Sequence, residues 1–214
     1  MPSKLPPVIL THGLYHNSSA WFLYKRRLRY AGFYHVMTYS YASFFRSFEA
    51  IVEGLVQEAL KAAQRAPEGR VLLVGHSLGG MVTRAALADE RLRGRVGGVL
   101  TICAPHGGSV LASRLAIGRL ARGLALDGHI VRTVNGPEYA DCLGPSILRQ
   151  SLFTPLDNMV LPLSGCWLGP ELKDKDWEEL CAPPVSHVGV LYDRRVWNMS
   201  VEYLLRAANR PASR

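Results

Sequence analysis

Four aliphatic residues, Val71–Val74, run into Gly75-His76-Ser77-Leu78-Gly79. A serine hydroxyl is a nucleophile only when it projects from a tight turn into open space beside a base. A strand-to-helix turn does this, but it strains the serine backbone and crowds the positions two before and two after it. Glycine at 75 and 79 removes the side chains that would clash there. A helix starting at Leu78, with Gly80 next in line, would aim free N–H groups at the reaction centre, where negative charge develops. The chemistry predicted is acyl transfer through Ser77.

An oxyanion hole needs two N–H donors. The residue after the serine, Leu78, supplies one; the loop Thr11-His12-Gly13-Leu14, after an early apolar strand, supplies the other through Leu14. His12 and His76 lie within motifs that work through their backbone.

The base must be one of seven histidines. His16, His35 and His129 lack supporting context. His106, in Ala104-Pro105-His106-Gly107-Gly108, follows a strand and is the main rival. His187, in Val185-Ser186-His187-Val188-Gly189, lies late in the chain, and the order Ser…Asp…His favours it. For the orienting acid, Asp157 alone follows a strand candidate and precedes that histidine. Asp127 reads as a turn, Asp174 and Asp176 as a charged surface run, and Asp193 as part of the last helix, while Asp141 lacks Asp157's position.

The elements that must position these residues alternate. Strands are predicted at Val8–Thr11, Tyr34–Tyr39, Val71–Val74, Gly97–Cys103, Ser146–Phe153 and, most weakly marked, Glu178–Ala182. Helices are predicted at Ser19–Ala31, Phe44–Ala66, Leu78–Ala88, Val110–Leu126 and Val188–Ala208. This rhythm implies an α/β fold, a mostly parallel sheet of about six strands with helices on both faces. Ligands then sit beyond the carboxyl ends of the strands.

The 214 residues suit one domain, 1–214, with a variable lid-like segment at 108–145. Hydrophobic residues make up 48%, which is a globular composition. No apolar run reaches the roughly 20 residues needed to cross a bilayer. The N-terminus lacks a signal peptide's apolar stretch, so a cytoplasmic location is expected unless a leader has been removed. The four cysteines, Cys103, Cys142, Cys166 and Cys181, show no metal-site spacing and are expected as free thiols. No metal or organic cofactor is required by the predicted chemistry.

The net charge of +8 is carried mostly by arginine, at residues 25–29, at 91–95 and at Arg114, Arg119 and Arg122. A solvated basic surface accounts for it, and the patches also suit transient contact with an anionic lipid surface. No nucleic-acid motif accompanies them. Oligomeric state is not legible.

Together these residues resemble the α/β-hydrolase superfamily, in particular its small bacterial lipase and esterase branch, over nearly the whole chain. Thr11-His12-Gly13 is similar to the family's oxyanion loop, and the run from Gly75 to Gly80 to the lipase form of the serine turn. Arg84 is similar to an arginine in the helix that follows. The stretch 104–109 resembles the family's Pro-His-x-Gly-Ser segment, with alanine at 104 in place of a small hydroxyl residue. Residues 156–164 resemble the acid loop and 186–197 the histidine loop. The resemblance implies a minimal fold with little or no cap, Ser77 as nucleophile, Asp157 as acid, His187 as base and a structural role for His106. The implied activity is hydrolysis of small-molecule or lipid carboxylic esters. An acyltransferase or thioesterase using the same triad, and a non-catalytic module that binds an acyl ligand or a partner, are the alternatives. The chain departs from the family pattern between Gly108 and Pro145, where substrate choice is not transferable.

Overall fold

A computed structural model describes residues 5–114, 117–145, 147–173 and 176–210. The sheet has six strands: β1 (Val8–Thr11), β2 (Val36–Tyr39), β3 (Val71–His76), β4 (Val96–Ile102), β5 (Leu148–Phe153) and β6 (Trp177–Cys181). Their spatial order is β2-β1-β3-β4-β5-β6, and every pairing is parallel. Strand β3 is buried at all six positions, as its unbroken aliphatic run requires of a strand covered on both sides.

Alternation along the strands sorts the core into two layers. Ile9, Val71, Leu73 and Val99 face α2 (Phe48–Arg65) and α3 (Leu78–Ala86). Val8, Leu10, Leu72, Val74 and Leu100 face α1 (Phe22–Tyr30) and α8 (Arg194–Asn209). In α2 the buried residues Phe48, Ile51, Val52, Leu55, Val56, Ala59, Ala62 and Ala63 trace one helical stripe. Ser47 caps this helix by accepting from Ala50 N–H at 3.2 Å.

Register brings the strand ends level: Thr11 pairs with Gly75, Gly75 with Thr101, Ile102 with Leu152 and Phe153 with Cys181. The loops after β1, β3, β4, β5 and β6 therefore converge on one edge.

Several boundaries differ from expectation. The helix foreseen over Val110–Leu126 is two short ones, α4 (Val110–Arg114) and α5 (Arg119–Gly123), and Gly118 at the start of α5 has φ +98°, outside helical geometry. Leu115 and Ala116, between them, lie outside the described residues. A further helix, α6 (His129–Asn135), was not anticipated. It buries Ile130, Val131 and Val134, a stripe too short to rise above the surrounding glycines. The first helix opens with a 3-10 turn over Ser18–Trp21. Asp193 is not inside the last helix but caps it, accepting from Arg195 N–H at 2.7 Å. Ser146, the expected start of β5, and Asp174 of the charged run lie outside the described residues. The last short helix is α7 (Pro170–Lys173). Among the described residues no helix is long and apolar enough to cross a membrane.

Candidate active site

Ser77 sits between β3 and α3 with φ +56° and ψ −125°. A non-glycine residue rarely adopts that region, and it costs about 1–3 kcal/mol. The turn is held from both sides: Ser77 N–H donates to Ile102 O at 2.9 Å, and Gly80 N–H donates to Ser77 O at 2.9 Å. The glycines are required by proximity. A Cβ on Gly75 would lie 2.3 Å from Gly79 O, and one on Gly79 would lie 2.3 Å from Thr11 O. One on Gly80 would lie 2.6 Å from the methyl of Ala104. The first turn of α3 thus rests directly on the end of β1.

That contact sets the Gly13 loop beside the serine, where a Cβ on Gly13 would be 2.9 Å from Ser77 Cβ. His12 is a clamp for this loop. Its Nε2 accepts from Tyr41 N–H at 3.2 Å, its Nδ1 donates to Gly13 O at 2.9 Å, and its ring stacks on Tyr41 at 4.3 Å. The Tyr41 hydroxyl donates to His12 O at 2.8 Å. Among the described residues, the N–H groups of Leu14 and Leu78 have no acceptor.

The loops after β5 and β6 carry Asp157 and His187. His187 Nδ1 is 2.7 Å from Asp157 Oδ2. The other carboxylate oxygen accepts from Met159 N–H at 2.9 Å and Val160 N–H at 2.8 Å. Burial pushes the Asp157 carboxyl up. The hydrogen bond and charge of His187, with the Val160 and Met159 amides, outweigh that, so its pKa lies below the ordinary 3.8. Thr154 ties the two loops together, its hydroxyl bonding Pro183 O at 3.0 Å and Val185 O at 2.8 Å. His187 is fixed further by Asn158, which accepts its N–H at 3.1 Å, and by His76, whose Nε2 donates to its carbonyl at 2.9 Å. His76 is fully buried, and burial followed by the charge of His187 keeps its pKa well below 6.5.

Ser77 and His187 line the same cavity, of about 250 Å³. No hydrogen bond joins them among the described residues; such contacts often tighten only around substrate. The walls are apolar, with Leu14, Leu111, Leu124, Met159 and Val160 prominent. Sequence reasoning missed most of these, because an apolar wall has no signature distinguishing it from core. It also passed over His16, which lines this cavity with an unpartnered buried Nδ1. At the rim, the rings of Tyr15 and Phe44 stack at 5.1 Å, and the Tyr15 hydroxyl donates to Ile117 O.

One buried set has the donor types of a metal site: Cys103, Asp157 and His187 offer atoms within 4.8 Å of one another. Burial, then the charge of Asp157, pushes the Cys103 thiol well up, away from the thiolate a metal needs. The carboxylate and imidazole are already bonded to each other. The chemistry of this donor set does not fit a metal ion.

His106, the rival base, is elsewhere. Its Nε2 reaches Ser151 Oγ at 3.2 Å and its Nδ1 faces Arg84 Nη1 at 3.4 Å. It is buried and held neutral by burial and the Arg84 charge. It does not line the Ser77 cavity.

A parallel sheet covered on both faces, with a strained serine and an Asp–His pair converging beyond its carboxyl edge, defines an α/β protein with its functional loops at that edge. The model of the alpha/beta hydrolase family matches residues 8–212, and the chain belongs to that family. A relative described as a probable esterase, PIR7A of Oryza sativa subsp. indica, is 29% identical over 166 residues. That match covers 72% of this chain and 62% of the relative, so the chain spans under two thirds of its length. Among solved structures, Aspergillus fumigatus lipase B superposes with a TM-score of 0.82 at 18% identity, covering all of this chain and 55% of that one. Bacillus licheniformis lipase BlEst2 gives 0.71 at 20% identity, covering 95% and 93%. At these identities the superpositions establish the fold.

Proposed function

We propose that the chain is a serine hydrolase of carboxylic esters. The observation that carries this reading is the convergence of Ser77, in a strained turn, with the Asp157–His187 pair on one apolar cavity. His187 takes the proton from Ser77 as its oxygen attacks the ester carbonyl. The acceptor-free N–H groups of Leu14 and Leu78 receive the oxyanion. Asp157 holds the imidazole tautomer with Nδ1 protonated and stabilises the imidazolium. His187 returns the proton to the leaving alcohol, and water releases the acid by the same steps in reverse. Similarity to a probable esterase and to two lipases supports this reaction class.

The acyl group belongs in the apolar cavity. Exposed Phe44, Phe45 and Ile117 beside Arg46, Arg119 and Arg122 give its surroundings an apolar and cationic surface, suited to substrate presented at an anionic lipid surface.

The test is hydrolysis of p-nitrophenyl esters from acetyl to palmitoyl, with Ser77→Ala as the blank. Turnover that vanishes in Ser77→Ala is expected, together with covalent labelling of Ser77 by a fluorophosphonate in the wild type. A folded wild-type protein that neither turns over any ester nor takes the label would overturn the proposal.

A further inference from the structure

The segment Pro105–Ser109 is a partition. Pro105 and Ser109 line the cavity containing Ser77, while His106 and Gly107 line a second cavity behind it. This second cavity measures about 1010 Å³, the size of a small-molecule site. It lies among α3, α6 and the segments leading into and out of α7.

Its polar groups are mismatched. Arg84 is 5% exposed, and among the described residues it has no carboxylate within ion-pair distance. Its Nη2 is satisfied by neutral acceptors, Asn135 Oδ1 at 2.7 Å and Val134 O at 3.1 Å, and its Nη1 faces neutral His106. Asn135 is engaged on both sides, its Oδ1 accepting from Arg84 and its amide donating to His106 O at 2.9 Å. The acid in the wall, Asp141, is taken by the buried Arg149, whose Nη2 lies 3.0 Å from it. Trp177 is buried, and its indole N–H has no partner. The wall therefore holds one buried cation with no carboxylate bonded to it, reached by the charge of Asp141 only from beyond ion-pair distance, and one unused donor. Buried groups of that kind call for an acceptor. The remaining wall is apolar and aromatic, including Tyr139, Leu168 and half-exposed Trp167.

We propose that this second cavity binds an amphipathic carboxylate, its anionic head at Arg84 and the Trp177 N–H and its apolar tail along Tyr139, Trp167 and Leu168. The charge selects an anion. The aromatic wall selects one with a hydrocarbon body over an inorganic ion.

Calorimetric titration of the full chain with octanoate and with octan-1-ol tests this. With the Ser77 cavity, where the acid product of the proposed reaction also sits, filled by Leu124→Trp, octanoate is expected to bind at one site, and the alcohol at least about tenfold more weakly, the discrimination of a hydrogen-bonded charge. Trp177→Phe, which keeps the ring and removes the N–H, should weaken octanoate about tenfold and leave the alcohol unchanged. Arg84→Lys should weaken it as well. Arg84 is integral to the core, so Trp177→Phe decides the matter if Arg84→Lys does not fold. Leu124→Trp, which fills the Ser77 cavity, should leave octanoate binding intact. No octanoate binding, equal binding of acid and alcohol, or loss in Leu124→Trp with retention in Trp177→Phe would each overturn the proposal.

Discussion

At the residue scale, two side chains carry conformational or protonation free energy that can be measured. Ser77 has a φ that glycine tolerates and alanine does not. Glycine relieves the strain but raises the entropy of the unfolded chain. Ser77→Gly should therefore be more stable than Ser77→Ala by up to about 1 kcal/mol in urea unfolding; equal stabilities would show an unstrained turn. Asp157 has a native pKa depressed below 3.8. A depressed carboxyl contributes stability that is present above its unfolded pKa and lost as pH falls through the lower native one. The wild type should lose stability below about pH 4 more steeply than Asp157→Asn, measured by unfolding across an acid series. The same variant should lower ester turnover by roughly 10⁴, because the amide favours the wrong imidazole tautomer. Retention of near-normal turnover would remove Asp157 from the mechanism.

At the element scale, the fit of α3 against β1 and β3 is the critical dimension. A methyl at position 79 meets two backbone carbonyls, of Thr11 and His12, that no rotamer change can move aside. Gly79→Ala should cost about 2–3 kcal/mol, as overpacking does, and should lower kcat as the Gly13 loop shifts. Thermal unfolding and ester kinetics on the same preparation check both. The elements themselves were largely legible. Strands β1, β3 and β4 are short apolar runs that end in turn residues, and α2 has a clean stripe and a serine cap. The region after Gly108 was not. Gly118 interrupts a continuous amphipathic pattern, and α6 is two turns long, so neither the break nor the extra helix has a periodicity to reveal it.

At the scale of the whole molecule, charge and exposed apolar surface act together. Phe45 is 89% exposed and Phe44 62%, near Arg46 and the arginines of α5. Co-sedimentation should show association with vesicles containing phosphatidylserine. It should fall with added salt, as screening requires, and weaken in Phe44→Ser/Phe45→Ser. Equal association with neutral vesicles would assign the contact to the aromatic residues alone, and no association would dismiss a lipid surface.

The order of strands and helices, the glycines around Ser77 and the late Asp157 and His187 are properties of the sequence. They are legible because each rests on local steric rules or on chain order. The 2.7 Å pairing of Asp157 with His187 depends on parallel register across β5 and β6 and on Thr154 bridging their loops. The separation of His106 from Ser77, the place of His16 in the cavity and the burial of Arg84 without a bonded carboxylate depend likewise on which strand ends lie side by side. Local spacing governs what a turn can present. Only the packed sheet decides what that turn faces, because those distances are set by contacts between residues far apart in the chain.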